Sequence, residues 1–404
     1  MKSSNLFFKY YLYLFMFFLL VVSVFYFVLD SFGNRLPRYG DEVYYIDCGL
    51  RYVSGVPPYL CNFEHPPFAK YFIGFLHVFG VDRIVFRLLC FCCCFLVFLI
   101  VYRFCGDVFL GFSCFLLLVL DSLFVNVFRF LLLDPVSLFF SFLALYLFLE
   151  KRYIFSAVFL GLGIASKFSA IPIALGIFIL FICLRDYRKM FLYFSIVFIV
   201  YISTYVADFS LGWDAVVRHH IDMFRYMSWR HGFSLPIAAN GFLKLLAKVE
   251  VWRYVGELSI VLGNVSGTYV VLNQSFVYLD SIELYTVVGV GMGSIVWYLF
   301  IPLLLYTTYL VLVGRDLGLC SGISTSFSGF VMFSWLSLLN IVAGPIDWYY
   351  VYVLPFLYIN TVVALERIAR KKTRLVIALV ISIQFITFIA TILGYIPFKY
   401  VAIW

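Results

Sequence analysis

Residues 84–102 read IVFRLLCFCCCFLVFLIVY, with one charged side chain, Arg87, near the start. About 20 apolar residues make a helix long enough to cross the hydrocarbon core of a bilayer. In lipid the backbone finds no water, so such a run must satisfy its own N–H and C=O groups as a helix. Outward from this stretch the pattern repeats. Apolar runs stand at roughly 8–29, 84–102, 108–128, 135–149, 154–167, 170–184, 190–207, 290–313, 323–343, 348–365 and 375–396. Of the 404 residues 65% are hydrophobic and 12% charged, whereas a soluble domain carries roughly 25% charged residues. The two-residue alternation of a barrel strand is not seen. These features predict an all-α polytopic membrane protein with about 11 transmembrane helices, in a single transmembrane domain over 1–404. The run in 1–29 follows Lys2 and Lys9 but meets no small-residue cleavage site, and reads as an uncleaved first helix.

The net charge is +8, which in a soluble protein would raise nucleic acid as a partner. Here Lys and Arg gather in short connections between spans, strongest in ERIARKKTR at 366–374. The positive-inside rule then puts the amino terminus and these connections in the cytoplasm, with membrane lipid and not nucleic acid as the surroundings. Two long connections, 30–83 and 208–288, face the other side, and both are expected to carry short amphipathic helices. The second holds the sequons Asn264-Val-Ser266 and Asn273-Gln-Ser275. Cys90, Cys92, Cys93, Cys94, Cys105 and Cys114 lie in or beside apolar spans, where thiols act as small hydrophobes. CFCCC lacks a His or second Cys pair at metal-ligand spacing. Cys48 and Cys61 both lie in the first long connection, and their pairing stays open.

Unusual polar residues gather on the face of the long connections. The first reads RYGDEVYYIDCGLRYVSGVPPYLCNFEHPPFAKYF at 38–72. It carries Asp41-Glu42, then Glu64-His65-Pro66-Pro67, then Lys70. Arg83 and Arg87 open the next span, and DSLFVNVFRFLLLD at 121–134 adds Asp121, Arg129 and Asp134. Charge beside apolar spans is costly and marks function or pairing. A carboxylate can take a proton from an attacking hydroxyl, and arginine binds phosphate oxygens bidentately. Blander roles compete. Lys70 can snorkel to head groups, Asp121 and Lys167 can pair with other helices, and His219-His220 reads as a solvated loop feature. Gly and Ser in GLGIAS permit close helix packing.

The order of these motifs resembles the protein O-mannosyltransferase superfamily, which includes the bacterial aminoarabinose transferases and shares the GT-C fold. Its Asp-Glu pair is matched by Asp41-Glu42, its His-Pro-Pro-x-x-Lys signature by His65-Pro66-Pro67-Phe68-Ala69-Lys70, and its Arg-x-x-x-x-Asp pattern by Arg129 and Asp134. GLGIASKFSAI at 161–171, VWYLFIPLLLY at 296–306 and IDWYYVYVLPFL at 346–357 resemble later family stretches, with Phe168 standing where the family has Trp. The resemblance implies a GT-C enzyme taking a sugar, mannose or related, from a polyprenyl- or dolichyl-phosphate donor to a protein or lipid acceptor, with inversion, on the extracytoplasmic face. It implies Asp41 as general base supported by Glu42. It implies Arg87, Lys70, His65, Glu64, Arg129 and Asp134 around the donor and its phosphate. No cofactor is required by it; a divalent metal stays open, with Glu64 and His65 as its candidate ligands. Two rivals remain. A flippase of lipid-linked sugar predicts polar groups at mid-membrane depth, and a non-catalytic relative would tend to lose the Asp-Glu pair.

Overall fold

The computed structural model describes residues 40–128, 130–231, 263–272, 275–284, 351–392 and a few isolated positions between 296 and 309. The expected spans 8–29 and 323–343, and most of 290–313, lie outside the described residues, as does Arg129. The chain divides into two units. The described part of the smaller is an antiparallel hairpin, β1 (Gly263–Leu272) and β2 (Ser275–Leu284), in register from Gly263↔Leu284 to Leu272↔Ser275. It is a local β element that helical patterning did not anticipate. The described part of the larger unit is helical.

That unit opens with α1 (Gly40–Val53) and α2 (Phe68–Val78), both in the first long connection. In α1, Glu42, Tyr45, Ile46, Cys48, Gly49 and Tyr52 are buried while Tyr44, Asp47, Leu50 and Arg51 are exposed. This spacing of three and four is a single helical face. The face meets α2 at a contact only glycines allow. A Cβ on Gly74 would stand 2.2 Å from the Gly49 carbonyl, and one on Gly49 would stand 2.4 Å from the Lys70 carbonyl oxygen. Pro66 and Pro67 precede α2 and start it, since proline suits a helix N-terminus. At 1.5 Å per residue α2 is about 16 Å long, too short to cross a bilayer.

Helix α3 (Asp82–Cys105) follows and stops at Gly106, whose φ of 65° is left-handed. Among the described residues it is the one helix long and apolar enough to cross a membrane. α4 (Val108–Val119) is capped by Asp107, whose Oδ1 accepts from the Phe109 and Leu110 amides at 2.7 and 3.3 Å. The span expected at 108–128 breaks at Leu120–Asp121, and α5 (Ser122–Val127) starts anew. The break has a local cause. Asp121 Oδ1 accepts the Phe124 amide at 2.9 Å, and its Oδ2 accepts the Tyr358 hydroxyl at 2.6 Å.

The remaining helices are α6 (Leu133–Leu149), α7 (Tyr153–Ser166), α8 (Ile171–Leu184), α9 (Tyr187–Ser203), α10 (Trp213–His231), α11 (Leu354–Ala369) and α12 (Thr373–Ile392). GLGIAS does bring helices together. A Cβ on Gly163 would meet Ser141 Oγ at 2.6 Å, and one on Gly161 would meet the Val200 side chain at 2.8 Å. Ser156 Oγ donates to the Ala144 carbonyl at 2.7 Å, joining α7 to α6. Gln384 of α12 donates to Leu117 and Leu120 carbonyls and to the Tyr358 hydroxyl, joining α12 to α4 and α11.

Large apolar side chains also point outward. Phe191, Phe198 and Ile199 on α9 are 77%, 63% and 64% exposed, and Leu375 and Ile386 on α12 are 71% and 66% exposed. In water this surface would drive association; in lipid it is ordinary. Inside, the described helices hold buried charge as a pair. Lys167 Nζ donates to both oxygens of Asp134, at 2.9 and 2.8 Å, with both side chains under a tenth exposed.

Removing one member of a buried pair leaves an uncompensated charge, at about 3–5 kcal/mol. Lys167→Met is therefore expected to lower the thermal midpoint in detergent sharply, and Asp134→Leu/Lys167→Met to recover much of the loss. A double variant no more stable than the single would contradict the pairing.

Candidate active site

The site is built along one edge of α1. Tyr52, Cys48, Tyr45 and Asp41 follow one another at helical spacing, and the segment Pro58–His65 runs back along that edge. The Tyr52 hydroxyl donates to the Cys61 carbonyl and lies 3.3 Å from that of Pro58. Burial raises the Tyr52 phenol well above its ordinary value, which keeps it a donor. Cys48 and Cys61 form a disulfide with Cα atoms 5.6 Å apart, settling the pairing left open by sequence. The Tyr45 ring stands edge-on to the His65 ring, centroids 6.5 Å apart. One turn further toward the N-terminus lies Asp41, half-buried. Carboxylates in the first turn also face the positive end of the helix dipole. Glu42 is 2% exposed, and its Oε1 accepts the Leu131 amide at 2.7 Å. It thereby ties the start of α1 to the stretch between α5 and α6.

The segment 59–65 is held group by group. The Tyr59 amide donates to Asp208 Oδ1 at 2.9 Å. Asn62 takes a φ of 51°, a left-handed conformation that Asn tolerates better than most residues. The Asn62 amide nitrogen donates to Glu64 Oε2. Lys70 is fully buried, and its Nζ donates to the Asn62 carbonyl, to Asn62 Oδ1 at 3.1 Å and to the His65 carbonyl at 3.0 Å. Its ammonium also lies 5.5 Å from the Tyr52 ring centroid. Lys70 thus points into the protein, away from head groups, with three acceptors on its three hydrogens.

The second long connection supplies the other side of this loop. Asp208 begins a tight turn at Asp208–Leu211 and is fully buried, as is His219 in α10. His219 Nδ1 lies 2.6 Å from Asp208 Oδ2, and Nε2 lies 3.1 Å from the Phe63 carbonyl. This corrects the reading of His219-His220 as a solvated feature. The neighbouring His220 is half-buried, with Nδ1 2.7 Å from the Val216 carbonyl and Nε2 2.9 Å from the Tyr201 hydroxyl. Burial lowers the His220 pKa. That favours a neutral ring that donates to Val216 and accepts from Tyr201.

The predicted residues divide by place. Asp41, Glu42, Glu64, His65 and Lys70 meet around α1 and the 59–65 segment. Arg83 and Arg87 are half-buried in the first two turns of α3. Asp134 is joined to Lys167. Asp208 and Tyr59 were not singled out by sequence, and His219 was read only as a solvated feature; the one signal for Asp208 was an Asp directly after an apolar run. As for a metal, the one set of three His, Cys, Asp or Glu ligand atoms within 4.8 Å of each other among the described residues is Asp47, Cys48 and Cys61. Its two sulfurs are already joined as a disulfide. Glu64 and His65 belong to no such set among the described residues.

Burial pushes the Lys70 ammonium down to about 7, against the pull of Glu64 and Asp208. A folded pKa below the ordinary 10.5 means that the unfolded chain binds more protons between about pH 7 and 10.5. Stability must then rise with pH across that window. Lys70→Met should flatten that rise, read as thermal midpoint against pH, while lowering the midpoint because the Asn62 and His65 carbonyls lose their donor. An unchanged slope would refute the assignment.

Residues 64–208 match the family model described as dolichyl-phosphate-mannose-protein mannosyltransferase. The matched segment holds Glu64, His65, Lys70, Arg87, Arg129, Asp134, Lys167 and Asp208, while Asp41, Glu42 and His219 fall outside it. No curated protein matches the chain by sequence. Among solved structures the chain is similar to ArnT from Cupriavidus metallidurans bound to undecaprenyl phosphate, at 17% identity and a TM-score of 0.47, over 90% of this chain and 63% of that one. It is also similar to ArnT from Cupriavidus metallidurans in the apo state, at 14% identity and a TM-score of 0.47, over 89% and 62%. The chain therefore spans less than two thirds of the length of these structures. The stretch 64–208 is thus similar to the dolichyl-phosphate-mannose-protein mannosyltransferase family, over well under half of the chain.

Proposed function

We propose that the chain is a membrane glycosyltransferase that moves a sugar from a polyprenyl-phosphate donor to an acceptor hydroxyl at the extracytoplasmic surface. The observation that carries this reading is the juxtaposition at the start of α1. Asp41 lies one turn beyond Tyr45, which touches His65, and Glu42 next to it holds the Leu131 amide. A half-buried carboxylate on the helix edge that also carries Tyr45 suits a site where a proton is removed near a phosphate. The family's name supports a dolichyl-phosphate sugar as donor class. The disulfide supports an oxidising, extracytoplasmic setting for this loop.

In the proposed step the acceptor oxygen forms a bond to the anomeric carbon, and Asp41 takes its proton. The bond from that carbon to the phosphate oxygen breaks on the opposite face, its electron pair leaving with the polyprenyl phosphate. The sugar is inverted. Arg87 and His65 are the groups proposed to meet the leaving phosphate's charge, as fixed positive groups do best where water is excluded. The Asp134–Lys167 pair shapes the donor pocket, and membrane lipid surrounds the prenyl chain. Mannose or a related sugar, and a protein or lipid acceptor, complete the reading.

The test is release of free polyprenyl phosphate by purified protein given polyprenyl-phosphate mannose and related donors with peptide and lipid acceptors. Asp41→Asn keeps the shape and removes the base, and is expected to slow release by about 100-fold or more with an unchanged thermal midpoint. Arg87→Ala should slow it as well. Sugar-lipid crossing of vesicles without any donor consumption would replace this reading with the flippase.

A further inference from the structure

Glu64 accepts from Asn62 and His65 packs against Tyr45, and the backbone that carries both is held as well. The Phe63 carbonyl, directly before Glu64, is held by His219 Nε2 at 3.1 Å. The Tyr59 amide is held by Asp208 Oδ1 at 2.9 Å, and Asp208 Oδ2 lies 2.6 Å from His219 Nδ1. Asp208 and His219 are thus one connected pair with a grip at each end of the segment. Both are fully buried, and the Tyr59 ring packs tilted against the His219 ring, centroids 5.6 Å apart. The Tyr59 hydroxyl reaches further, donating to Asp222 Oδ2 at 2.7 Å. Both ring nitrogens of His219 face oxygen atoms.

We propose that Asp208 and His219 form a positioning pair, which holds the Tyr59–His65 segment from the second long connection so that His65 meets the donor phosphate. The proposal rests on the transferase reading above. Neither residue touches the reacting atoms; each acts through the backbone it holds. A reacting group displaced by about 1 Å can lose about 100-fold in rate, so a pair that fixes this segment sets turnover more than donor binding.

The experiment compares wild type with Asp208→Ala, Asp208→Asn, His219→Ala and His219→Gln by hydrogen exchange and by donor turnover. Exchange in the peptide 57–67 needs no activity, so it separates the positioning claim from the transferase reading. In Asp208→Ala and His219→Ala, exchange of that peptide is expected to quicken about 10-fold while peptides of α6 and α7 stay as in wild type. In the same variants kcat is expected to fall about 100-fold with donor KM nearly unchanged. Asp208→Asn should rescue most of both readouts. Its oxygen still accepts from Tyr59, and its amide donates to Nδ1 of a neutral His219 whose Nε2–H still reaches Phe63. His219→Gln reaches one acceptor at a time and should fall between. Exchange unchanged at 57–67, or raised equally in α6 and α7, overturns the proposal. So does a fall in activity in Asp208→Asn as deep as in Asp208→Ala. A wild type that consumes no donor while exchange responds as expected overturns the transferase reading and leaves the pair a loop clamp only.

Discussion

The backbone between Tyr59 and His65 is mostly half-buried, and side chains from other elements pair several of its polar groups. Lys70, His219, Asp208 and Tyr52 supply the partners, each from a different element. Lys70 comes from α2, Tyr52 from α1, and Asp208 and His219 from the far end of the described amino-terminal part. The segment is therefore where the first long connection, the second, and the start of the helical unit become one object. Remove the pairing and α1 loses the surface its Cys48–Tyr45–Asp41 edge lies on. A flexible loop holding Glu64 and His65 would have to be ordered again at every encounter with substrate; one already held does not.

The membrane shapes the rest by the same rule. Apolar side chains on α9 and α12 face outward, so polar groups turn inward and must find one another there. Asp134 finds Lys167, and Asp121 accepts from Tyr358, whose hydroxyl accepts from Gln384. Serines of α6 and α7 bond to carbonyls of the helix beside them, and glycines of α7 let the backbones approach. Small residues and short polar links are how helices associate where there is no hydrophobic effect to press them together.

Much of this was legible in the sequence because periodicity and length survive without coordinates. The expected spans at 84–102, 135–149, 154–167 and 170–184 correspond to α3, α6, α7 and α8 with ends shifted by a few residues. The pairing of Lys167 with another helix was readable because a lone Lys in an apolar run has few other options. The break at Asp121 was not, since an Asp that caps a new helix looks the same in sequence as one that interrupts an old one. His219 was misread because burial is invisible in a His-His pair set in a polar helix, and its partner Asp208 is eleven residues back across Gly212. The cysteine pair stayed open because spacing along the chain does not fix distance in space. The hairpin at 263–284 was missed because the whole connection was weighed for helices.

The central claim is that the head of a polyprenyl phosphate comes to rest against the Asp41–His65 edge and Arg87. The most direct measurement is photo-crosslinking with a polyprenyl-phosphate analogue carrying its reactive group beside the phosphate, followed by peptide mapping of the adduct. The account predicts adducts in residues 38–72 and 83–90, competed away by unmodified polyprenyl phosphate. Adducts confined to the basic 366–374 connection, or spread along the outward faces of α9 and α12, would contradict it.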